Sequence, residues 1–201
     1  KATFNEQYRM HPQINDVIEQ FYADDPGGLH CGLSPAKVDI NNFGERESRY
    51  HGFLLPNVID PHKHVLWIDV PDSSERKDSE SWYNDEEVKA VESFIIALVK
   101  SIGYKEYFDY WRNYNNVETS NTEGQIGVIT FYTAQKERLK RKMQSLRDRY
   151  GVLSRTDSVD NFQGQERGIV IVSTVRTNGH GGFTRSPERL NVALSRARRL
   201  L

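Results

Sequence analysis

Four segments of the 201-residue chain gather side chains whose types and spacing suit chemistry on a phosphate-bearing ligand. The first, Asn5-Glu6-Gln7-Tyr8-Arg9-Met10-His11-Pro12, sets a phenol, a guanidinium and an imidazole on one loop between a strand end and a helix start. In a parallel sheet that edge is where ligands bind; a surface loop whose arginine pairs with a carboxylate has the same look. The second, Gly127-Val128-Ile129-Thr130-Phe131-Tyr132-Thr133-Ala134-Gln135, delivers a hydroxyl cluster from a buried strand to a helix N-terminus, where free N–H groups suit a phosphate. Simple capping of the helix by Thr133 accounts for the same spacing. The third, Val159-Asp160-Asn161-Phe162-Gln163-Gly164-Gln165-Glu166, combines a glycine that permits close backbone approach with Gln and Glu side chains able to bond a ribose or phosphate network. Alone it is also an ordinary polar turn. The fourth, Leu190-Asn191-Val192-Ala193-Leu194-Ser195-Arg196-Ala197-Arg198-Arg199, reads as a helix whose inward Val192, Ala193 and Ala197 hold Arg196 firmly. A planar, permanently charged fork on a rigid helix is what a transferring phosphoryl group requires. A solvated basic helix end is the competing explanation.

The elements that must position these segments follow from hydrophobic periodicity. A short strand end at Lys1 to Phe4 leads to a helix from Pro12 to Tyr22, with Ile14, Val17, Ile18 and Phe21 on one face. From Asp24 to His62, repeated turn residues predict a long irregular excursion. Val65 to Val70, bounded by Pro61 and Pro71, reads as a buried strand, and Asp72 to Ser81 as a mobile loop. Asn84 or Asp85 caps a helix to Ile102, stopped by Gly103, with Val88, Val91, Phe94, Ile95, Leu98, Val99 and Ile102 as its stripe. Tyr104 to Thr122 reads as an insert. Strands at Ile126–Phe131, Val152–Thr156 and Ile169–Val175 then alternate with helices at Ala134–Tyr150 and Pro187–Arg199, and Leu200-Leu201 opens a further strand. Such alternation predicts an α/β fold with a mainly parallel sheet covered on both faces.

Composition narrows the partners. Charged residues at 27% and a net charge of -1 give no global basic field, so any nucleic acid must be met by a local patch. The longest apolar run, Phe94 to Val99, falls far short of the roughly 18 residues of a membrane span, so no membrane partner is expected. A single cysteine, Cys31, leaves no internal disulfide or zinc site and points to a cytoplasmic or nuclear setting; no metal ligands are assigned. Lys136, Arg138, Lys140, Arg141, Lys142, Arg147 and Arg149 on one helix invite a nucleic-acid reading, but a charged helix exterior explains them as well. No Gly-rich strand–helix turn supports a dinucleotide-binding fold.

In order along the chain, Gln7 to Pro12, Gly127 to Gln135, Val159 to Glu166 and Leu190 to Arg198 resemble motifs IV to VI and the region between them in superfamily 1B helicases of the Upf/senataxin/Dna2-Nam7 type. The resemblance implies a RecA-like three-layer α/β/α domain over residues 1–201, the second (C-terminal) motor domain of a larger protein, with irregular insertions at 24–62 and 104–122. It implies that ATP and Mg²⁺ are held mainly by a first RecA-like domain. To that site this chain would bring Arg9 and Arg196 as arginine fingers, Tyr8 near the base, and Gln163, Gly164 and Glu166 on the nucleotide side. Thr130, Tyr132 and Thr133, with Thr174 and Arg176 as further candidates, would grip the backbone of a single-stranded or partly duplex RNA or DNA. Phe131 stands where the family often has proline, a departure that leaves the mechanism intact; no Gly-x-x-x-x-Gly-Lys-Ser/Thr run is present, so the chain alone is expected not to hydrolyse ATP. The resemblance also implies that the chain ends inside a motif VI helix, ahead of the strand that completes the sheet. The alternative is a non-catalytic, helicase-like binding or scaffolding module.

Overall fold

Ile126-Gly127-Val128-Ile129-Thr130 is buried at every position, which requires a strand with neighbours on both edges and cover on both faces. In the computed structural model, which describes residues 5–71, 73–114, 125–177 and 186–201, that strand lies at the centre of the molecule. In chain order the elements are β1 (Glu6–Gln7), α1 (Pro12–Ile18) extended by a 3-10 turn (Glu19–Tyr22), β2 (His30–Cys31), β3 (Arg76–Asp78), β4 (Ser81–Tyr83), α2 (Asp85–Lys100), α3 (Tyr104–Tyr114), β5 (Ile126–Thr130), α4 (Thr133–Tyr150), β6 (Ser154–Ser158), β7 (Arg167–Ser173), α5 (Pro187–Leu194) and β8 (Ala197–Leu200). The main sheet runs in the order β6-β5-β7-β8, and every pairing in it is parallel.

The period-2 alternation of β5 and β7 divides the core into two layers. Ile126, Val128 and Ile169 join Val88, Val91, Phe94, Ile95 and Leu98 of α2 and Leu139, Met143 and Leu146 of α4 on one face. Ile129 and Val170 join Ile14 and Ile18 of α1 and Ala193 of α5 on the other. The fold is therefore α/β, a parallel sheet between helical layers, as a RecA-like domain has. The helix starts are specified locally. Pro12 and Pro187 occupy first-turn positions of α1 and α5, Ser186 Oγ accepts from Arg189 N, and Asn84 caps α2 by accepting from Glu86 N and Glu87 N. Gly151, with φ at 70°, ends α4.

Four expectations are corrected. The last helix stops at Leu194 rather than Arg199, and Ala197–Leu200, expected as its end, is a strand paired parallel with β7. Backbone pairing decides this: Arg167 N donates to Arg196 O, and Ala197 and Leu200 are buried beside β7. Val65 to Val70 is not a buried strand; Trp67 is 88% exposed. Only its start is tied to the sheet, where Leu66 N donates to Leu201 O and Leu201 N to His64 O. Within Asp72 to Ser81, expected as a loop, β3 pairs antiparallel with β4 as a hairpin. Tyr104–Tyr114 is helix α3 packed on the core through buried Tyr107, while the rest of the expected insert, from 115, lies outside the described residues, as do residues 1–4. Residues 24–62 form no strand but β2, and their irregular backbone lies against α1 and β8, where His62 O accepts from Gln13 Nε2 and Tyr50 O from Arg199 Nη1.

Candidate functional site

Arg9, Glu166 and Arg196 come from opposite ends of the chain and meet at one place. Gly164, with φ at 78°, turns the chain after a 3-10 turn (Asp160–Phe162) and delivers Glu166 to the start of β7; Gln163 and Gly164 lie in that same turn. Glu166 then bridges two guanidiniums, at 2.8 Å to Arg9 Nε and 3.1 Å to Arg198 Nη1. Arg196 sits in the turn between α5 and β8, not on the helix. It donates to Val192 O at 2.9 Å, to Gln165 O at 3.4 Å and to Ser195 Oγ at 2.8 Å. Arg9 Nη1 reaches Ser195 O at 3.4 Å, closing the group. Burial, and then the neighbouring Arg9, push the Arg196 pKa below the usual guanidinium value. Three guanidiniums thus gather around one carboxylate that pairs with two of them, and that excess of positive charge suits an anion with several oxygens, a polyphosphate above all.

The loop that carries Arg9 is held by its own neighbours and by Arg49, which the sequence does not single out. Gln7 Oε1 accepts from Arg9 N and Met10 N, and His11 N donates to Arg198 O. Arg49, from the irregular 24–62 segment, is buried and spends its donors on main-chain carbonyls: Nε on Arg9 O, Nη2 on Tyr8 O, and Nη1 on Arg46 O and Ser48 O. Burial, together with Arg198 and Arg199 nearby, lowers its pKa to about 10. Tyr8 is 58% exposed beside Arg9, its ring lying so close over Gly32 that a Cβ there would strike it. Its hydroxyl donates to Glu6, whose carboxylate raises the Tyr8 pKa.

The residues expected to grip nucleic acid gather at the other edge of the sheet, where β5 and β7 end. They differ in access. Thr130 is fully buried and donates Oγ1–H to Ser173 O, and Tyr132 is 4% exposed, so both face the interior rather than a strand on the surface. Thr133 is exposed at the start of α4, whose Ala134 N is capped by Ser81 Oγ from the hairpin and not by Thr133. Thr174 Oγ1 lies 3.5 Å from Glu87 Oε1. Arg176 pairs with Glu75 at 3.0 Å and lies over the Trp82 ring at 4.4 Å. Along α4, Lys136 pairs with Asp157, Arg138 with Asp78 and Asp85, and Lys142 with Glu92, so much of the basic run is neutralised in place.

His11, Asp39 and His64 place three ligand-type atoms within 4.8 Å of one another. The His11 ring accepts Gln13 N–H at Nδ1, which leaves its proton on Nε2, turned to Asp39 Oδ1 at 3.1 Å. A neutral His11 in that tautomer has no lone pair to give a metal at Nε2.

Residues 1–201 match the family model AAA_12, described as an AAA domain. The chain is 37% identical over 195 residues to the probable helicase senataxin of Homo sapiens, a match covering 96% of this chain and 6% of that protein. It is 31% identical to the probable RNA helicase armi of Drosophila melanogaster and 29% identical to the regulator of nonsense transcripts 1 homolog of Arabidopsis thaliana, again over 96% of this chain but 15% and 13% of those proteins. It thus spans a small part of the relatives it matches. Among the described residues no helix is long and apolar enough to cross a membrane. With its parallel sheet, its ordered motifs and a match along its whole length, the chain belongs to the AAA_12 family of superfamily 1B helicase domains.

Proposed function

We propose that this chain is the second RecA-like motor domain of an ATP-dependent superfamily 1 helicase or translocase, acting on RNA or DNA together with a first motor domain of the same polypeptide. The observation that carries this reading is the convergence of Arg9, Glu166 and Arg196 into one cluster with positive charge in excess. That cluster fits the triphosphate of ATP, whose γ-phosphoryl group is the one transferred when ATP with its Mg²⁺ is bound. Arg9 and Arg196 are the arginine fingers. Glu166 holds Arg9 and Arg198, and the carbonyls of Val192 and Gln165 hold Arg196, so the guanidiniums are oriented in advance and need no reorganisation as charge develops. Tyr8, exposed beside Arg9, is the base-stacking candidate, with Gln163 and Gly164 in the turn that supports Glu166. At the opposite edge, Thr133, Thr174 and Arg176 contact the sugar–phosphate backbone, with little base preference.

The chain has no Gly-x-x-x-x-Gly-Lys-Ser/Thr segment, so turnover belongs to the full-length protein and not to this domain by itself. In the full-length protein, Arg196→Ala lowers ATP turnover by about 10³-fold while nucleotide binding persists. Steady-state hydrolysis, paired with equilibrium binding of a fluorescent ATP analogue, measures both. Normal turnover by Arg196→Ala would remove the finger assignment. A full-length wild-type protein that binds a strand but never hydrolyses ATP would instead mark a scaffolding module.

A further inference from the structure

At the end of β7 the chain does something costly. Val175, β-branched and fully buried, has φ at 72°, in the left-handed region that such a side chain almost never adopts. Conformations of this kind persist only where surrounding groups over-determine them. Here both polar groups of the Val175 main chain are captured by the start of α2. Val175 N donates to Glu87 Oε1 at 2.9 Å, and Asn84 Nδ2 donates to Val175 O at 3.4 Å.

The sequence Asn84-Asp85-Glu86-Glu87 has the form of a capping box, in which the acid at the third helical position reaches back to the N–H of the cap. That return bond is not made. The amide of Gln135, fully buried in the first turn of α4, takes Asn84 N–H at 2.9 Å and donates to Asn84 O and to Ser173 Oγ. Glu87 is thereby released from the cap. Its carboxylate turns to the β7 end, accepting Ser173 Oγ–H at 2.6 Å as well as Val175 N–H, with Thr174 Oγ1 at 3.5 Å. One closed polar network thus joins α2, α4 and β7 around a single strained residue, and the next residue along is Arg176.

We propose that Glu87, supported by Asn84 and Gln135, is a positioning residue that holds Val175 in its left-handed conformation and so aims Thr174 and Arg176 at the backbone of a bound strand. The inference rests on the reading that this edge meets nucleic acid. Glu87 touches no strand itself and acts only through the loop.

The test uses the full-length protein and fluorescein-labelled single-stranded oligonucleotides, RNA and DNA, read by anisotropy alongside thermal melting. Glu87→Ala weakens strand binding by about tenfold. Glu87→Gln, whose amide can still accept Val175 N–H and donate to Ser173 Oγ, stays within about threefold of wild type. Val175→Gly in the Glu87→Ala background restores at least half of the lost binding free energy, because glycine adopts the left-handed conformation without cost. A role confined to stabilising α2 would show no such rescue, since Val175→Gly only adds a cavity. Should Glu87→Ala not fold, Glu87→Asp takes its place: it keeps the charge at the helix start, withdraws the carboxylate from Val175, and is rescued in the same way. Wild-type affinity in Glu87→Ala or Glu87→Asp, or no rescue by Val175→Gly, overturns the proposal. Arg176→Ala separates the two levels. If it binds as wild type, the edge assignment fails; if it weakens binding while the Glu87 variants do not, only the positioning role fails.

Discussion

Arg49 shows how a single buried cation can set the geometry of a site it does not enter. Its donors end on the carbonyls of Tyr8 and Arg9, so the main chain carrying Arg9, the proposed finger, is fixed from behind. Removing the fork takes the partner from both carbonyls at once and leaves a buried cavity where the guanidinium lay. Arg49→Met therefore destabilises the fold by about 3 kcal/mol and, by letting Arg9 drift, lowers ATP turnover of the full-length protein by about 10²-fold. Arg49→Lys offers one compact ammonium where a planar fork served several acceptors, and it recovers only part of either loss. Denaturant unfolding and steady-state hydrolysis check this; wild-type stability and turnover in Arg49→Lys would rule the clamp out. Arg9, Glu166 and Arg196 stand in segments that the sequence singles out, but each segment alone also reads as an ordinary loop, turn or helix end, and only the resemblance to helicase motifs implies a role for them. Arg49 and Glu87 are not singled out, because they recognise main-chain groups, and a carbonyl or N–H partner leaves no residue type or spacing to read. The one hint for Glu87 was the Asn-x-x-Glu form, which by itself predicts a cap and nothing more. Thr130 misled for a related reason: a hydroxyl at a strand end looks like a ligand group, and burial alone reveals that it ties β5 to β7.

At the scale of elements, periodicity identified what packing alone decides and failed where pairing competes with it. The stripe of α2 from Val88 to Leu98 and the apolar runs of β5 and β7 stand where their patterns put them, but the helix stops at Lys100 rather than Ile102, and Ile102, expected in the stripe, is exposed. Ala197 to Leu200 carries residues of high helix propensity, a preference worth only a few tenths of a kcal/mol per residue, and the open edge of β7 overrides it. Val65 to Val70 has the composition of a buried strand, yet that pattern cannot say which edge is free to pair. The aromatic-rich α3 was read as an insert because its role appears only in three dimensions. Its Tyr107 is fully buried, with the hydroxyl set against Gly168 at the start of β7, so closely that a Cβ there would collide with it. Gly168→Ala must then shift either α3 or β7, and it destabilises the fold by about 2 kcal/mol. Because β7 carries Glu166 just before one end and Thr174 just after the other, the change is also felt at both candidate sites. Unfolding by denaturant measures the loss. A variant as stable as wild type would show that α3 is only loosely docked.

Across the whole molecule, the irregular 24–66 wrap is fastened to the sheet by buried histidines as well as by the main-chain bonds of His64 and Leu66 to Leu201. His64 Nδ1 donates to Arg199 O, His51 bonds Lys63 O, and the rings of His11 and His64 stack at 3.4 Å. Burial drives the pKa of His51 down to about 4 and that of His64 to about 2, with the neighbouring His11 adding to both shifts. Both residues are therefore neutral in the fold and titrate near pH 6.5 once unfolded. Between that value and the folded pKa the unfolded chain binds the protons that the folded one refuses, so stability rises with pH across this window and is lost as pH falls through 6.5. Moving from pH 7.5 to 5 costs about 2 kcal/mol for each of the two residues. Urea unfolding at pH 7.5, 6 and 5 should show this fall, and His64→Leu should remove about 2 kcal/mol of it whatever it does to stability at neutral pH. A stability unchanged between pH 7.5 and 5 would mean that these rings take up protons without leaving the fold. The fastening would then not depend on their neutrality, and the wrap that seats Arg49 behind Arg9 would be held by its carbonyl contacts alone.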